Sequence, residues 1–140
     1  MSREEFEKLV AEIGTDAVPE KFRSHLENVA FLIEDEPSQQ VRMEEGLGPH
    51  ETLLGLYHGI PHTARGDLYG LGGTLPDTIT LFRLPLIMEA QEFLRAGKAA
   101  TPENAMRLAI KETIWHEVAH HFGMDEHEVR EREHERDEEK

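Results

Sequence analysis

The chain has 140 residues and a mass of 16.0 kDa, which suits one domain and excludes two independent hydrophobic cores. Hydrophobic residues make up 38% and charged residues 31%, a balance typical of a polar globular protein. There is no apolar run long enough to span a bilayer, and from the first residues we expect no secretion signal. Cysteine is absent, which excludes disulfides, thiolate zinc sites and cysteine nucleophiles, and we expect a cytoplasmic protein.

The charge of the chain restricts its partners. Fifteen Lys and Arg residues stand against 29 Asp and Glu residues, giving a net charge of −14 at pH 7. Proteins that bind nucleic acids or anionic membranes gain affinity from clustered Lys and Arg, and no basic run is present here. We therefore expect neither nucleic acid nor a membrane as a partner. The oligomeric state does not follow from the sequence.

Four elements are predicted in the first half of the chain. Apolar residues recur at helical spacing over residues 6–13, and Gly14 can end that helix. A second short helix is expected after Pro19. Apolar stretches over residues 29–33 and 53–57 predict two strands, the second leading into a long glycine-rich connection that could frame a cleft.

The second half contains the clearest signals. Residues 78–83 are rich in β-branched and aromatic side chains and predict a strand. Pro85 can lie in the first turn of the helix that follows. Thr101 and Pro102 are typical of a helix start, and Gly123 is placed to end that long helix.

The end of this long helix carries a candidate metal site with the sequence HEVAHHFGMDE. His116 and His120 are four residues apart, so both imidazoles lie on one face of the helix within reach of one ion. Glu117 lies between them, displaced around the helix, where it could take a proton from an activated water. This pattern predicts metal-assisted hydrolysis.

A third ligand is expected just beyond the helix. Gly123 lets the chain turn sharply, so that Glu126 can return towards the two histidines. Three protein ligands and one open position are typical of catalytic zinc. Asp125 or His127 could replace Glu126 if the turn has a different register. The donors suit one Zn²⁺ per chain, although other divalent ions also accept this set.

The motif resembles the zincin metallopeptidases close to the metzincins, and more closely a small bacterial family of minimal zincin-like metallopeptidases. The similarity extends to LLGLYHGIP at residues 53–61 and LPDTITLFR at residues 75–83. It implies an α+β fold in which a small twisted mixed sheet packs on helices, with the active-site helix near the C-terminus. We then expect one catalytic domain over residues 1–124, followed by a third-ligand turn and a charged helix or tail over residues 125–140.

The resemblance also implies roles for individual residues. His116 and His120 would be metal ligands, Glu117 the general base, and Glu126 the third ligand at a position where the family commonly has Asp. The chain departs from metzincins proper because Met124 is too close to the motif to form their downstream methionine turn.

Substrate contacts are expected on the strands. The segment 77–83 resembles the zincin edge strand along which an extended peptide lies, which makes Thr78 and Thr80 candidate substrate-binding residues. Tyr57 could donate a hydrogen bond to an oxyanion near the metal. His121 is expected to be a surface residue at the helix C-terminus.

These features predict a zinc-dependent metallopeptidase that acts on a peptide or protein substrate. One alternative is a non-enzymatic, metal-stabilised module that binds an extended peptide. Another is a metal-dependent endoribonuclease with similar histidine spacing, but those enzymes lack a Glu after the first His, whereas Glu117 is present here.

Overall fold

The structure is a computed structural model that describes residues 1–59 and 75–138. Most of the predicted glycine-rich connection therefore lies outside the described residues. The model has the predicted α+β architecture, with 3₁₀ turns at Gly14–Ala17 and Glu20–Leu26. In chain order its elements are α1 (Arg3–Ile13), β1 (Val29–Glu34), α2 (Gln39–Glu44), β2 (Gly55–His58), β3 (Asp77–Phe82), α3 (Arg83–Arg95), α4 (Pro102–His121) and α5 (Glu126–Glu138).

Most elements match the sequence prediction, with two differences. The second short helix, expected after Pro19, is present as a 3₁₀ helix over Glu20–Leu26. The strand expected over residues 53–57 is shorter and begins at Gly55. The short helix α2 was not predicted, and Ser38 caps it by accepting a hydrogen bond from the backbone N–H of Val41 at 3.2 Å.

The described sheet has three strands in the order β1–β3–β2. β1 runs parallel to β3, with Phe31 opposite Ile79, and β2 runs antiparallel to β3, with Tyr57 also opposite Ile79. The prediction that residues 77–83 form an edge strand is therefore wrong. Thr78 and Thr80 lie in the central strand, whose two sides are already paired, so their backbone groups cannot receive a peptide strand. β2 is the edge strand that contacts α4.

Helix α4 lies at the centre of the packing and contacts α1, α3, α5, β2 and β3. Its start has the predicted cap, in which the Thr101 hydroxyl accepts a hydrogen bond from the backbone N–H of Asn104 at 3.1 Å. Because these five helices and strands pack against α4, the position of the motif at its end is rigid. Its fully buried side chains include Ile110, Ile114, Trp115 and Val118, which meet Phe6, Ile79, Leu81 and Leu86 in the core.

The charged C-terminal segment forms helix α5, which is docked on the core and not wholly solvated. Val129 is fully buried, and its carbonyl oxygen accepts a 2.9 Å hydrogen bond from Nε1 of Trp115. Near the other end, Arg136 is only 2% exposed and donates from Nη1 to the carbonyl oxygen of Ala17 at 3.0 Å. These contacts fix the helix that carries Glu126. The domain boundary at residue 124 stays a prediction.

Candidate metal centre

His116 and His120 lie one turn apart near the end of α4. Their ring centroids are 6.4 Å apart, so both imidazoles face the same side of the helix. His116 is half-buried and His120 is exposed. The position between the two rings is therefore open on one side to solvent, as a site that must admit water and substrate requires.

The chain leaves α4 through a tight turn at Gly123. Its φ of 81° is a backbone conformation that favours glycine. The backbone N–H groups of Gly123 and Met124 donate to the carbonyl oxygens of His120 and Ala119, both at 3.0 Å. This arrangement satisfies the last carbonyls of the helix and reverses the chain towards its own histidines.

Glu126, the first residue of α5, comes back to the second histidine of the motif. Its Oε1 lies 3.0 Å from Nε2 of His120. The two alternative ligands make other contacts: Oδ1 of Asp125 accepts from the backbone N–H of Glu128 at 2.9 Å, and Nε2 of His127 lies 2.8 Å from Oε1 of Glu131. Of the three candidates, Glu126 is therefore the one whose side chain lies within hydrogen-bonding distance of a motif histidine.

The donors fit a zinc ion in chemistry and in spacing. Two ligands about 2.0–2.1 Å from a tetrahedral zinc lie about 3.3 Å from each other, and His120 and Glu126 are already close to that separation at 3.0 Å. Within residues 1–59 and 75–138, no three His, Asp or Glu side chains form a ready-made metal-binding group. The side chains must therefore move closer together if His116, His120 and Glu126 are to hold one ion.

Glu117 faces the sheet. Its Oε1 accepts a 3.0 Å hydrogen bond from the backbone N–H of Tyr57. This N–H points away from β3, which pairs with the other side of the strand. Burial raises the pKa of the Glu117 carboxyl above its ordinary value, and the Tyr57 N–H offsets part of that rise. A carboxylate of raised pKa is a better proton acceptor, which suits a general base.

Tyr57 joins the edge strand to the end of α4, and its predicted contact with an oxyanion stays a prediction. Its hydroxyl donates to Oδ2 of Asp77 at 2.6 Å, so its donor hydrogen is used within the sheet. Its ring stacks on the imidazole of His121, with centroids 3.9 Å apart and planes 17° from parallel. Tyr57 therefore holds neighbours in place through its backbone, its ring and its hydroxyl.

The structure brings together His116, His120, Glu126, Glu117 and Tyr57 around the end of α4. Thr78 and Thr80 lie apart from this group, in the central strand. His121 is exposed, as expected, and its ring also contacts Tyr57 beside the candidate site. The sequence could have predicted this position, because His121 follows Glu117 by four residues. That spacing places both side chains on one strip of the helix.

A small mixed sheet packs on a helix that carries HEVAH near its end, and an acidic residue returns to this helix after a glycine turn. This is a metallopeptidase-like architecture. A family model described as zincin-like metallopeptidase matches residues 26–136. The chain therefore belongs to the zincin-like metallopeptidase family. A comparison with curated proteins finds no match.

Among the residues that the structure describes, none lies in a helix both long enough and apolar enough to cross a bilayer.

Proposed function

We propose that this chain is a zinc-dependent peptidase in which His116, His120 and Glu126 hold one Zn²⁺ and Glu117 is the general base. The observation that carries the proposal is the 3.0 Å approach of Glu126 to His120 across the Gly123 turn. This approach places an acidic oxygen beside an imidazole of the helical histidine pair, as a site with two histidines and one carboxylate requires.

When bound, zinc supplies Lewis acidity that lowers the pKa of a water molecule and polarises the peptide carbonyl. The proton transfers are carried out by a side chain of the protein. Glu117 accepts a proton from the attacking water and delivers it to the amine that leaves. Its position supports this role, since its carboxylate is partly buried and is oriented by the Tyr57 N–H.

The substrate class follows from the sheet edge. β2 lies at the edge of the described sheet next to Glu117, and an extended peptide would add along it as a further strand by displacing the Glu117 carboxylate from the Tyr57 N–H. A peptide aligned there would pass in front of the general base. The net charge of −14 disfavours RNA as the alternative substrate.

The metal is tested by elemental analysis of protein that has been offered zinc and then dialysed. We expect about one zinc per chain in the wild type and a loss of that zinc in His116→Ala. His134→Ala is the matched control, because this exposed histidine lies on α5, away from the motif. A wild type that retains no zinc would contradict the proposed centre.

The activity is tested with the Glu117→Gln variant on a fluorogenic peptide library. We expect this variant to retain zinc and lose hydrolysis, because an amide keeps the hydrogen-bond acceptor but cannot take the proton. Glu103→Gln, an exposed change at the start of the same helix, should cleave like the wild type. Equal cleavage by Glu117→Gln and the wild type would rule out the assigned base.

A non-enzymatic peptide-binding module is the second candidate. It is favoured by the hydrogen bond between Glu117 and Tyr57, because this bond keeps the carboxylate on the sheet edge and not on the histidine pair. Stoichiometric zinc, tight binding of an extended peptide and no cleavage of any library member would establish this function in place of the peptidase.

A further inference from the structure

The imidazole of His121 lies on the same strip of α4 as Glu117. An α-helix advances about 100° per residue, so residues four apart differ by only about 40° around the axis. His116 and His120 occupy the neighbouring strip, where they would hold the metal. Glu117 and His121 thus form a second pair that faces β2, one turn apart along the helix.

Tyr57 fixes the position of this imidazole. The two rings stack at 3.9 Å, and the tyrosine ring is in turn held by the 2.6 Å hydrogen bond from its hydroxyl to Asp77. The backbone also comes close, since a Cβ atom added at Gly59 would lie 3.1 Å from Cε1 of His121. The ring is therefore confined between the edge strand and the helix end.

Both donors of Tyr57 are already used. The Tyr57 N–H donates to Glu117 and the Tyr57 hydroxyl donates to Asp77. His121 is exposed, and within the described part of the chain its ring contacts Tyr57 and Phe122 while its nitrogens form no hydrogen bond. Neutral imidazole has one N–H and the protonated ring has two, so a donor is present in either state.

We propose that His121 is a further catalytic residue that donates a hydrogen bond to the carbonyl oxygen of the scissile peptide bond as that oxygen becomes negatively charged. The inference rests on the proposed peptidase function. In the step it supports, the water oxygen bonds to the carbonyl carbon, a water proton passes to Glu117, and the carbonyl π electrons move to the oxygen. His121 stabilises that oxygen and transfers no atom.

The experiment compares two substitutions in the zinc-loaded full chain, using the library peptide that the wild type cleaves fastest. His121→Phe keeps a flat ring against Tyr57 and removes the donor, whereas His121→Gln keeps an N–H donor. We expect kcat to fall about 100-fold in His121→Phe with KM changed less than about threefold. His121→Gln should recover part of this loss. His134→Phe, on the exposed side of α5, is the control.

A second measurement separates chemistry from folding. A phosphinic peptide, whose tetrahedral phosphorus group has the shape of the reacting carbon, should bind His121→Phe about 10- to 100-fold more weakly than the wild type. Zinc content and the unfolding midpoint should not change. A loss of zinc in His121→Phe would overturn the inference, since the residue would then act through His120.

The inference and the function on which it rests fail in different ways. A wild type that cleaves peptides while His121→Phe keeps its kcat within about threefold overturns the role of His121 alone. A zinc-loaded wild type that cleaves no peptide overturns both.

Discussion

Glu126 illustrates how much one residue depends on the turn before it. Its carboxylate reaches His120 from the first turn of α5, where the helix dipole also favours a negative charge. Asp125, next to it, caps the same helix and accepts the N–H of Glu128. The two neighbouring acids therefore make different contacts: Asp125 caps its own helix, and Glu126 contacts His120 across the turn.

This separation predicts different effects of conservative changes on zinc affinity. Glu126→Gln should weaken zinc binding at least about tenfold, because it removes the charge of a ligand. Asp125→Asn keeps a capping oxygen, and His127→Ala removes a side chain that is 83% exposed, so both should stay near the wild-type affinity. Competition with a chromogenic chelator measures all three. A larger loss in His127→Ala than in Glu126→Gln would reassign the third ligand.

At the scale of secondary-structure elements, the close approach of β2 to α4 depends on Gly55. A Cβ atom at this position would lie 2.7 Å from Cγ2 of Thr113 and 3.1 Å from the carbonyl oxygen of Thr80. At Gly55 the edge strand and the motif helix can therefore approach this closely because the strand lacks a side chain there. This contact positions Tyr57 against Glu117 two residues further along.

We expect Gly55→Ala to lower the free energy of unfolding by about 1–3 kcal/mol, because the added methyl group overpacks the contact. Thr113→Ser removes the methyl group that the new Cβ would meet, so the double variant should recover part of the loss. Urea unfolding of the four proteins gives the coupling energy. Purely additive effects would show that Thr113 does not limit the approach.

The junction between α4 and α5 depends on a buried hydrogen bond. Trp115→Phe should lower the free energy of unfolding by about 1–3 kcal/mol, because the buried carbonyl of Val129 loses its donor. Zinc affinity should fall as well, since the bond holds the helix that begins at Glu126. Phe22→Leu is the control, because it alters the ring contact with Trp115 at 5.6 Å and keeps the hydrogen bond. Equal zinc affinity in the wild type and Trp115→Phe would separate the junction from the metal centre.

For the whole molecule, the partly buried carboxyl of Glu112 makes stability depend on pH. Burial, followed by the nearby charge of Glu133, raises the pKa of the Glu112 carboxyl in the folded protein above its ordinary value. The folded state therefore holds this proton more tightly than the unfolded state does. The stabilisation that this proton gives is complete at a pH below the pKa of Glu112 in the unfolded chain. It is lost as the pH rises through the pKa of Glu112 in the folded protein.

Glu112→Gln should accordingly melt at a higher temperature than the wild type at pH 7, and the difference should shrink towards pH 4. Thermal unfolding at a series of pH values measures this trend. Glu103→Gln, which changes an exposed acid on the same helix, should not raise the melting temperature at pH 7. A Glu112→Gln protein less stable than the wild type at pH 7 would contradict the expected sign.

The sequence predicts most reliably what local signals determine. Helix α4 has its capping threonine, first-turn proline and terminal glycine within or directly beside its own residues. Its metal-site motif follows from the four-residue spacing of two histidines on one helix. The position of β3 depends on pairing with distant strands. Its β-branched residues suit a central strand as well as an edge, so composition could not distinguish the two. The ring contact of His121 likewise requires the location of β2.

The hydrogen bond between Tyr57 and Glu117 has a consequence for self-association. An uncovered strand edge is a template on which another copy of a protein can aggregate, and a charged group placed over the edge suppresses such pairing. Glu117 covers the Tyr57 N–H of β2 in this way. An inactive Glu117→Ala protein would lose this protection together with the base, whereas Glu117→Gln would keep an oxygen over the N–H. The glutamine variant is therefore the better choice for capturing bound peptides without aggregation of the protein.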